Sequence, residues 1–435
     1  MKSQDLYRRA KTLIPGGTQL LSKRPEQFLP DGWPAYYSKA SGIAVTDLDG
    51  IVYTDMSIMA VGACVLGYAD PDVDAAVKAA VEAGAQSTLN APEEVALAEL
   101  LCELHPWASM VRYARGGGEA LSIAVRIARA HTGRDTVAFC GYHGWSDWYL
   151  AANLGPGDAL DGQLMVGLEP AGVPRGLVGT ALPFHYNRIE ELKAIVDAQR
   201  GELAAIVMEP QRSQEPLAGF LEEVRDLASS SGAVLIFDEV SSGFRLTLGG
   251  AHLLLGVEPD IAVFAKAMAN GYAMAAVIGR ERVMQTAQST FISSTNWTER
   301  IGPVAALATI EKYRRCNVAD HLARIGALMM DGWERAGADA GLDLGVSGPP
   351  AMCSFELRQD DAPALTTLFT QLVLAEGYLG WHQFNPSFAH REQDVVAYLA
   401  KAGEALAVMK QAVDAGDVRE RLAGPVSRSG FHRLT

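Results

Sequence analysis

The sequence has few cysteines, and they form no pattern. Its five cysteines in 435 residues are scattered, and none is spaced as Cys-x-x-Cys. That number and spacing predict neither a zinc site nor a disulfide framework. We therefore expect reduced thiols and no metal centre.

Long apolar runs are also missing. No run of about 18 apolar residues, the length that spans a bilayer, is found anywhere in the chain. The first residues, MKSQDLYRRAKTLIPGG, are charged and amphipathic and lack the apolar region of a secretory signal. These features predict a cytoplasmic protein that has no membrane-spanning helix.

Basic residues are too few to outweigh the acidic ones. The net charge of −14 argues against a general affinity for nucleic acid or for anionic membrane surfaces. It does not exclude a small anionic ligand, because backbone amides and a few arginines act locally. The expected partners are therefore small molecules.

What the chain does contain is an alternation of short apolar runs with helical patterns. The nearly continuous apolar runs are DTVAFC, LAAIVME, AVLIFDEV, IAVFAK and AAVIG. Such runs are typical of strands covered on both faces, and their alternation with helices indicates a mainly parallel sheet wrapped by helices. The predicted fold class is α/β.

The chain is long enough for more than one lobe, because single cores seldom grow past about 250–300 residues. Residues 1–60 hold a helix pattern and two strands around the turn Asp49-Gly50, and we expect them to join a small lobe. Residues 61–320 are predicted to form a large domain. Residues 321–435 are predicted to form the smaller α+β domain.

Two glycine-rich segments follow predicted strands, where ligands of open parallel sheets gather. Gly116-Gly117-Gly118 leads into a helical pattern near Glu119, so it either offers amides to a phosphate or serves only as a connector. In AFCGYHGW, Tyr142 could stack on a planar ligand or plug a gap beneath a loop.

Two charged residues end apolar runs, although charges are seldom buried without compensation. Asp238 ends AVLIFD, where a helix N-terminus, Arg245 or a protonated heterocyclic nitrogen could satisfy it. Lys266 ends IAVFAK.

A lysine, an aspartate and a phosphate cradle are the parts that pyridoxal phosphate (PLP) requires. Lys266 would anchor the cofactor and move a proton, with its pKa lowered by burial. Glu209, after AAIVM, would orient neighbouring groups within the cofactor-binding set.

Several segments carry a resemblance to a known family. LIFDEVSSGFRLTLGGAH and GVEPDIAVFAKAMANGYAMAAVIGR, with PGGTQ, VTDLDGIVYTDM, GYHG and GPVAALATIE in order, resemble the class III aminotransferases of PLP fold type I, in the glutamate-1-semialdehyde aminomutase-like branch. The resemblance implies that Lys266 is the Schiff-base lysine and Asp238 the partner of the pyridine nitrogen. It also implies that Tyr142 stacks on the cofactor with His143 beside it.

The same resemblance implies how the phosphate is held. Amides of Gly117 and Gly118 would bind it, and Thr295 would reach the phosphate of a neighbouring subunit, so a homodimer is implied. Relatives usually have Ser-Gly-Thr-Glu-Ala where this chain has GGGEA, so two hydroxyl donors are absent. Backbone amides, or Ser293 and Ser294, would have to compensate.

The predicted function is transfer of an amino group from an amino-acid donor to a polar aldehyde or ketone. A keto sugar is one such acceptor, since GGTQ…SKRP and SSTNWTERIGP resemble proteins associated with amino-sugar biosynthesis. The alternative is an intramolecular aminomutase, although TQLLSKRP replaces the aminomutase run Asn-Ser-Pro-Val-Arg. A retired enzyme kept as a scaffold is a third hypothesis, which the presence of Lys266 and Asp238 disfavours.

Arginines are the candidates for holding acidic groups of a substrate, because a planar guanidinium pairs bidentately with a carboxylate or phosphate. Each of them could equally be a surface or structural arginine. The candidates are Arg24, Arg115, Arg245 and Arg300.

Overall fold

The computed structural model describes residues 2–155, 159–163, 166–428 and 430. The chain divides into two compact units, one made of Met1–Asp70 with Asn317–Thr435 and the other of Pro71–Cys316. The observed boundaries thus fall at Asp70 and Cys316, where the sequence analysis placed them at residues 60 and 320. No helix among the described residues is both long and apolar enough to cross a membrane.

The N-terminal segment contains the predicted helix and hairpin, which are confirmed. Asp47 Oδ1 accepts hydrogen bonds from the backbone N–H groups of Asp49 and Ile51, at 2.8 and 2.9 Å, and so fixes the turn at Gly50. Strands β2 (Ala44–Asp47) and β3 (Val52–Met56) pair antiparallel on either side of this turn. The elements are α1 Lys2–Leu13, β1 Tyr37–Ser41, β2 Ala44–Asp47 and β3 Val52–Met56.

The Pro71–Cys316 unit holds helices and strands in alternation. Its strands are β4 Met110–Ala114, β5 Thr136–Cys140, β6 Ala181–Pro183, β7 Leu203–Met208, β8 Val234–Asp238, β9 Ile261–Phe264 and β10 Ala275–Gly279. Its helices are α2 Pro71–Glu82, α3 Glu93–Leu104, α4 Gly117–Thr132, α5 Asp147–Leu150, α6 Ile189–Ala198, α7 Phe220–Ser231, α8 His252–Leu255, α9 Glu281–Met284 and α10 Ile301–Arg315.

These strands form one sheet in the order β4-β10-β9-β8-β7-β5-β6. Every neighbouring pair is parallel except those made by β10, which runs antiparallel to β4 and β9. The predicted α/β class is confirmed, and the five predicted strands are the five fully buried ones. The edge strand β6 was not predicted, and β4 was predicted only as the strand before the glycine turn, because both are partly exposed and carry no continuous apolar run.

The C-terminal segment belongs to the same unit as the N-terminal one. Its elements are α11 Val318–Ala340, β11 Leu344–Ser347, β12 Cys353–Leu357, α12 Ala362–Ala375, β13 Tyr378–Gly380, β14 Gln383–Phe384 and α13 Glu392–Ala415. Strand β13 pairs in parallel with β3, which explains why the two ends of the chain form one unit. Trp333, Phe355 and Phe369 lie in the core of this unit. The segment YLGWHQFN carries two short strands, β13 and β14.

Candidate functional site

Four neighbouring strands bring the predicted site residues to one edge of the sheet. Strands β9, β8, β7 and β5 lie side by side and run in the same direction, so their carboxyl ends coincide. Lys266 follows β9, Asp238 ends β8, Glu209 follows β7, and Tyr142 and His143 follow β5. The structure therefore assembles these five residues where ligands of open α/β sheets bind.

Asp238 is buried and is held by His143. Its Oδ2 lies 2.8 Å from His143 Nδ1, and its Oδ1 accepts a hydrogen bond from the N–H of Val240 at 3.0 Å. His143 is also buried, and its Nε2 lies 3.0 Å from the carbonyl oxygen of Cys140. Since a carboxylate and a carbonyl oxygen are both acceptors, the two contacts are satisfied together when the ring carries both protons.

The partner of Asp238 thus differs from the two protein partners that the sequence suggested. Neither a helix N-terminus nor Arg245 supplies the main contact; His143 does. Asp238 can still bind the third suggested partner, a protonated heterocyclic nitrogen, because each oxygen of a carboxylate can accept more than one hydrogen bond.

Tyr142 lies in the same loop with its side chain partly buried. Its ring packs edge to face against Tyr149, with centroids 5.8 Å apart. Burial raises the pKa of the Tyr142 hydroxyl, while the charge of Arg212 acts to lower it and that of Asp238 to raise it. The phenol is therefore neutral at physiological pH.

Lys266 opens a single-turn 3₁₀ helix, Lys266–Ala269, two residues after β9 ends. Its φ of 45° lies in the left-handed region, a conformation that costs a residue with a side chain roughly 1–2 kcal/mol. Its Nζ donates a hydrogen bond to Ser241 Oγ at 2.9 Å. Burial, followed by the charge of Arg212, lowers the pKa of the amine to about 8, against the opposing charges of Glu209 and Asp238. A substantial fraction of the amine is therefore neutral, and nucleophilic, near that pH.

Glu209 forms an ion pair with Arg212, a residue that the sequence analysis did not single out. Arg212 Nη1 lies 3.2 Å from each carboxylate oxygen of Glu209. A Cβ on Gly141 would lie 2.9 Å from Glu209 Oε2, so the loop after β5 approaches this pair closely. The signal available in the sequence was an arginine three residues after a carboxylate at a strand end.

The glycine turn brings α4 against the loops that carry Asp238 and Tyr142. The helix begins at Gly117, two residues before the predicted start, so the N–H groups of Gly117 and Gly118 lie in its first turn and have no partner within the helix. A Cβ on Gly117 would lie 2.9 Å from Val240 Cγ1, and a Cβ on Gly144 would lie 2.9 Å from the Cα of Gly118. Only glycine permits this approach.

Thr295 and its neighbouring serines do not join this group within the described part of the chain. Thr295 is exposed and opens the single-turn helix Thr295–Thr298, where its carbonyl oxygen accepts a hydrogen bond from Gln86 at 2.8 Å. Ser293 and Ser294 are exposed as well. Among the described hydrogen bonds, none connects these three residues to the glycine turn.

The arginines that the sequence singled out have other partners or lie elsewhere. Arg115 donates from Nε to the carbonyl oxygen of Asn296 at 2.9 Å, and Arg300 pairs with Glu93. Arg245 is almost completely buried, at 1% exposure, and its charge acts to lower the pKa of Lys266. Arg24 belongs to the other unit. Of the four, Arg245 is the one whose charge acts on Lys266, and its burial leaves almost no surface for a substrate group.

Comparison with known proteins shows what this arrangement is similar to. The family model described as aminotransferase class-III matches residues 30–385. The chain is 34% identical over 423 residues to 3-aminobutyryl-CoA aminotransferase of Cloacimonas acidaminovorans (strain Evry), which covers 94% of this chain and 98% of that protein. It is 32% identical over 433 residues to glutamate-1-semialdehyde 2,1-aminomutase of Dechloromonas aromatica (strain RCB), covering 94% and 99%.

Among solved structures, the FumI protein of Sphingopyxis sp. MTA144, determined with PLP, superposes with a TM-score of 0.85. The two chains are 27% identical, and the match covers 95% of this chain and 97% of that one. The similarities identify the fold as PLP fold type I and the cofactor as pyridoxal 5′-phosphate.

The residues at the sheet edge fit this cofactor. A buried carboxylate, Asp238, is fixed by His143 and suits a protonated ring nitrogen. Lys266 provides an amine with a lowered pKa. The first turn of α4 offers amide groups at a helix N-terminus, which favours a phosphate, and a Cβ at Gly116 would meet no atom within 4 Å.

Proposed function

The chain belongs to the class III aminotransferases, and from this premise we propose that it moves an amino group from an amino-acid donor to a polar aldehyde or ketone. The observation that carries the proposal is the meeting of Lys266, Asp238 and the first turn of α4 at one sheet edge. An amine, a carboxylate and a set of amides correspond to the anchor, the ring-nitrogen partner and the phosphate cradle of PLP.

When bound, PLP supplies an electron-poor ring that takes up the electron pair released at the substrate carbon. In our proposal Asp238 binds the ring nitrogen, and the buried contact with His143 keeps that carboxylate in place. The ring of Tyr142 covers one face of the cofactor. Gly117 and Gly118 donate their amides to the phosphate.

Lys266 has two tasks in this proposal. It would hold the cofactor through Nζ, and as a free amine it would move the proton at the substrate carbon. The hydroxyl of Ser241, 2.9 Å from Nζ, keeps the amine in position. The pKa of about 8 favours both tasks, because a neutral amine is needed at each of them.

A direct test is to mix the purified holoenzyme with L-glutamate or L-alanine and to follow the cofactor absorbance. We expect conversion to the aminated cofactor with release of one equivalent of 2-oxo acid, and ping-pong kinetics once an acceptor is added. Lys266→Ala is expected to abolish turnover and to leave the cofactor bound without a covalent link. Undiminished turnover in that variant would refute the role of Lys266.

The acceptor in our proposal is a polar carbonyl compound, with a keto sugar as one member of that class. A screen of carbonyl compounds against the aminated enzyme tests this assignment. The screen compares three classes of compound: keto sugars, simple aldehydes, and ketones that carry an acyl thioester. If an apolar ketone were the only class of compound to restore the PLP absorbance, the proposal of a polar acceptor would be contradicted.

An intramolecular aminomutase is the second candidate, favoured by the similarity to glutamate-1-semialdehyde 2,1-aminomutase over nearly the whole chain. In that case the amine returns to the same carbon skeleton, so glutamate-1-semialdehyde would be converted without any external donor. The requirement for a separate donor therefore distinguishes the two candidates.

We also propose that the protein acts as a homodimer, with Thr295 placed at the partner's cofactor. Its exposure and its lack of described hydrogen bonds to its own glycine turn support this proposal. Phe291 and Leu89, in the same unit, expose 93% and 80% of their surface. The segments that carry them meet where Gln86 donates a hydrogen bond to the carbonyl oxygen of Thr295, and exposed apolar side chains grouped in this way are typical of a surface that another chain covers.

A further inference from the structure

One positive charge at the sheet edge has no task in the function proposed above. Arg212 lies four residues beyond the end of β7, and β7 is flanked by β8 and β5, the strands that lead into Asp238 and Tyr142. The pair that Arg212 forms with Glu209 lies against Gly141, directly before Tyr142. The guanidinium is therefore part of the same edge as the predicted cofactor contacts.

The charge of Arg212 acts on the residues around it. It is the second cause, after burial, of the lowered pKa of Lys266, and it also acts on the pKa of the Tyr142 hydroxyl. Burial would lower the pKa of Arg212 itself, but Glu209 and Asp238 outweigh this and raise it, so the guanidinium stays charged. A cation this close to the reacting amine also attracts any acid group that approaches it.

Arg212 retains donors beyond its ion pair. Within the described part of the chain, both hydrogen bonds of its guanidinium use Nη1. Its side chain remains 36% exposed, whereas that of Glu209 is 9% exposed. A guanidinium has five N–H groups in a planar fork, so Nη2 and Nε remain for a second, bidentate partner.

We propose that Arg212 binds the carboxylate of the amino-acid donor and so selects acid-bearing amines over neutral ones. The inference rests on the proposed aminotransferase function and deepens it by naming the group that recognises the donor. Glu209 holds the guanidinium in place through Nη1, and the exposed part of the fork receives the substrate.

The test compares two donors that differ only in charge, L-alanine and L-alaninamide, in the amine-donating half-reaction of the holoenzyme. Arg212→Gln is expected to lower kcat/KM for alanine on the order of 30-fold or more, the loss typical of removing one partner of a desolvated charge pair. The loss should fall mainly on KM, and alaninamide should change by about twofold or less. Arg212→Lys, which keeps the charge but not the fork, should lie between wild type and Arg212→Gln.

The matched control is Arg200→Gln, which removes an arginine of the same unit that also pairs with a carboxylate three residues away, Asp197, but is 82% exposed. It should leave both donors unaffected. An equal loss for alanine and alaninamide in Arg212→Gln would overturn the inference, because the arginine would then act through Lys266 alone. The absence of any loss for alanine would overturn it as well.

Failure of the proposed function gives a different result. In that case the wild-type holoenzyme would react with neither donor, and the function and the inference would both be contradicted. If wild type reacts with donors while Arg212→Gln keeps the same alanine-to-alaninamide ratio, only the inference fails.

Discussion

The imidazole of His143 and the carboxylate of Asp238 form a buried pair, with Nδ1 and Oδ2 2.8 Å apart. The second ring nitrogen is used as well, since Nε2 lies 3.0 Å from the carbonyl oxygen of Cys140. The histidine therefore ties the end of β8 to the end of β5 and leaves Asp238 with one orientation.

We predict that His143→Leu destabilises the protein by about 3 kcal/mol, because it leaves the buried carboxylate of Asp238 without its side-chain hydrogen-bond partner. Urea unfolding of the apoprotein would measure this loss, and spectroscopic titration would show weaker PLP binding. The control is His131→Leu, in which an exposed histidine of the same unit is removed. Equal stability of wild type and His143→Leu would contradict a structural role for the pair.

The amine of Lys266 should give the apoprotein a specific pH dependence. Its pKa in the folded state is about 8, whereas an unfolded lysine has a pKa of about 10.4. Between these values the unfolded chain binds more protons, so the contribution of Lys266 to stability rises with pH across this window. Below pH 8 both states are protonated, and the folded state bears the full cost of burying the charge.

The measurement is the difference in unfolding free energy between wild type and Lys266→Met at several pH values. We expect this difference to shift in favour of wild type from about pH 8 to about pH 10.4. Exposed Lys78, replaced by Met, serves as the matched control. A flat difference would mean that burial leaves the amine with the pKa of a free lysine.

The glycine turn allows the absent hydroxyl groups to be restored. A Cβ at Gly116 meets no atom within 4 Å, and one at Gly118 makes ordinary contacts, the nearest at 3.5 Å to Gly144. Gly116→Ser and Gly118→Thr are therefore expected to fold and to bind PLP several-fold more tightly, because each adds a donor at a helix N-terminus.

Equilibrium dialysis with PLP would measure the affinity of these variants. Gly117→Ala supplies the contrast, since its Cβ would lie 2.9 Å from Val240 Cγ1 and should displace the residue whose N–H binds Asp238. We expect weaker PLP binding in that variant. Unchanged affinity in all three variants would place the phosphate elsewhere.

The proposed homodimer can be tested through its exposed apolar side chains. Leu89→Glu and Phe291→Glu should shift the protein toward monomer in sedimentation velocity, because a buried, unpaired charge opposes association. Leu217→Glu, at a position that is 63% exposed in the same unit, is the control. Wild-type protein that sediments as a monomer would contradict the proposal directly.

Much of the fold could be predicted from local sequence. The five buried strands are continuous apolar runs, and Asp49-Gly50 predicted the hairpin correctly, because burial on both faces and turn geometry impose their residue types locally. The edge strand β6 was missed because partial exposure removes the continuous apolar run, and β4, also partly exposed, was indicated only by the glycine turn that follows it.

The candidate site, too, could be predicted only in part from local sequence. The sequence by itself determined that Lys266 and Asp238 stand at strand ends, where a charge needs a partner, and that glycines open α4. Only the tertiary structure decided that His143 is the partner of Asp238, that Ser241 holds Nζ, and that Arg212 acts on the amine. The partners of a buried charge depend on which strands lie side by side, and the order of strands in a sheet is set by contacts between distant segments of the chain, which leave no local pattern.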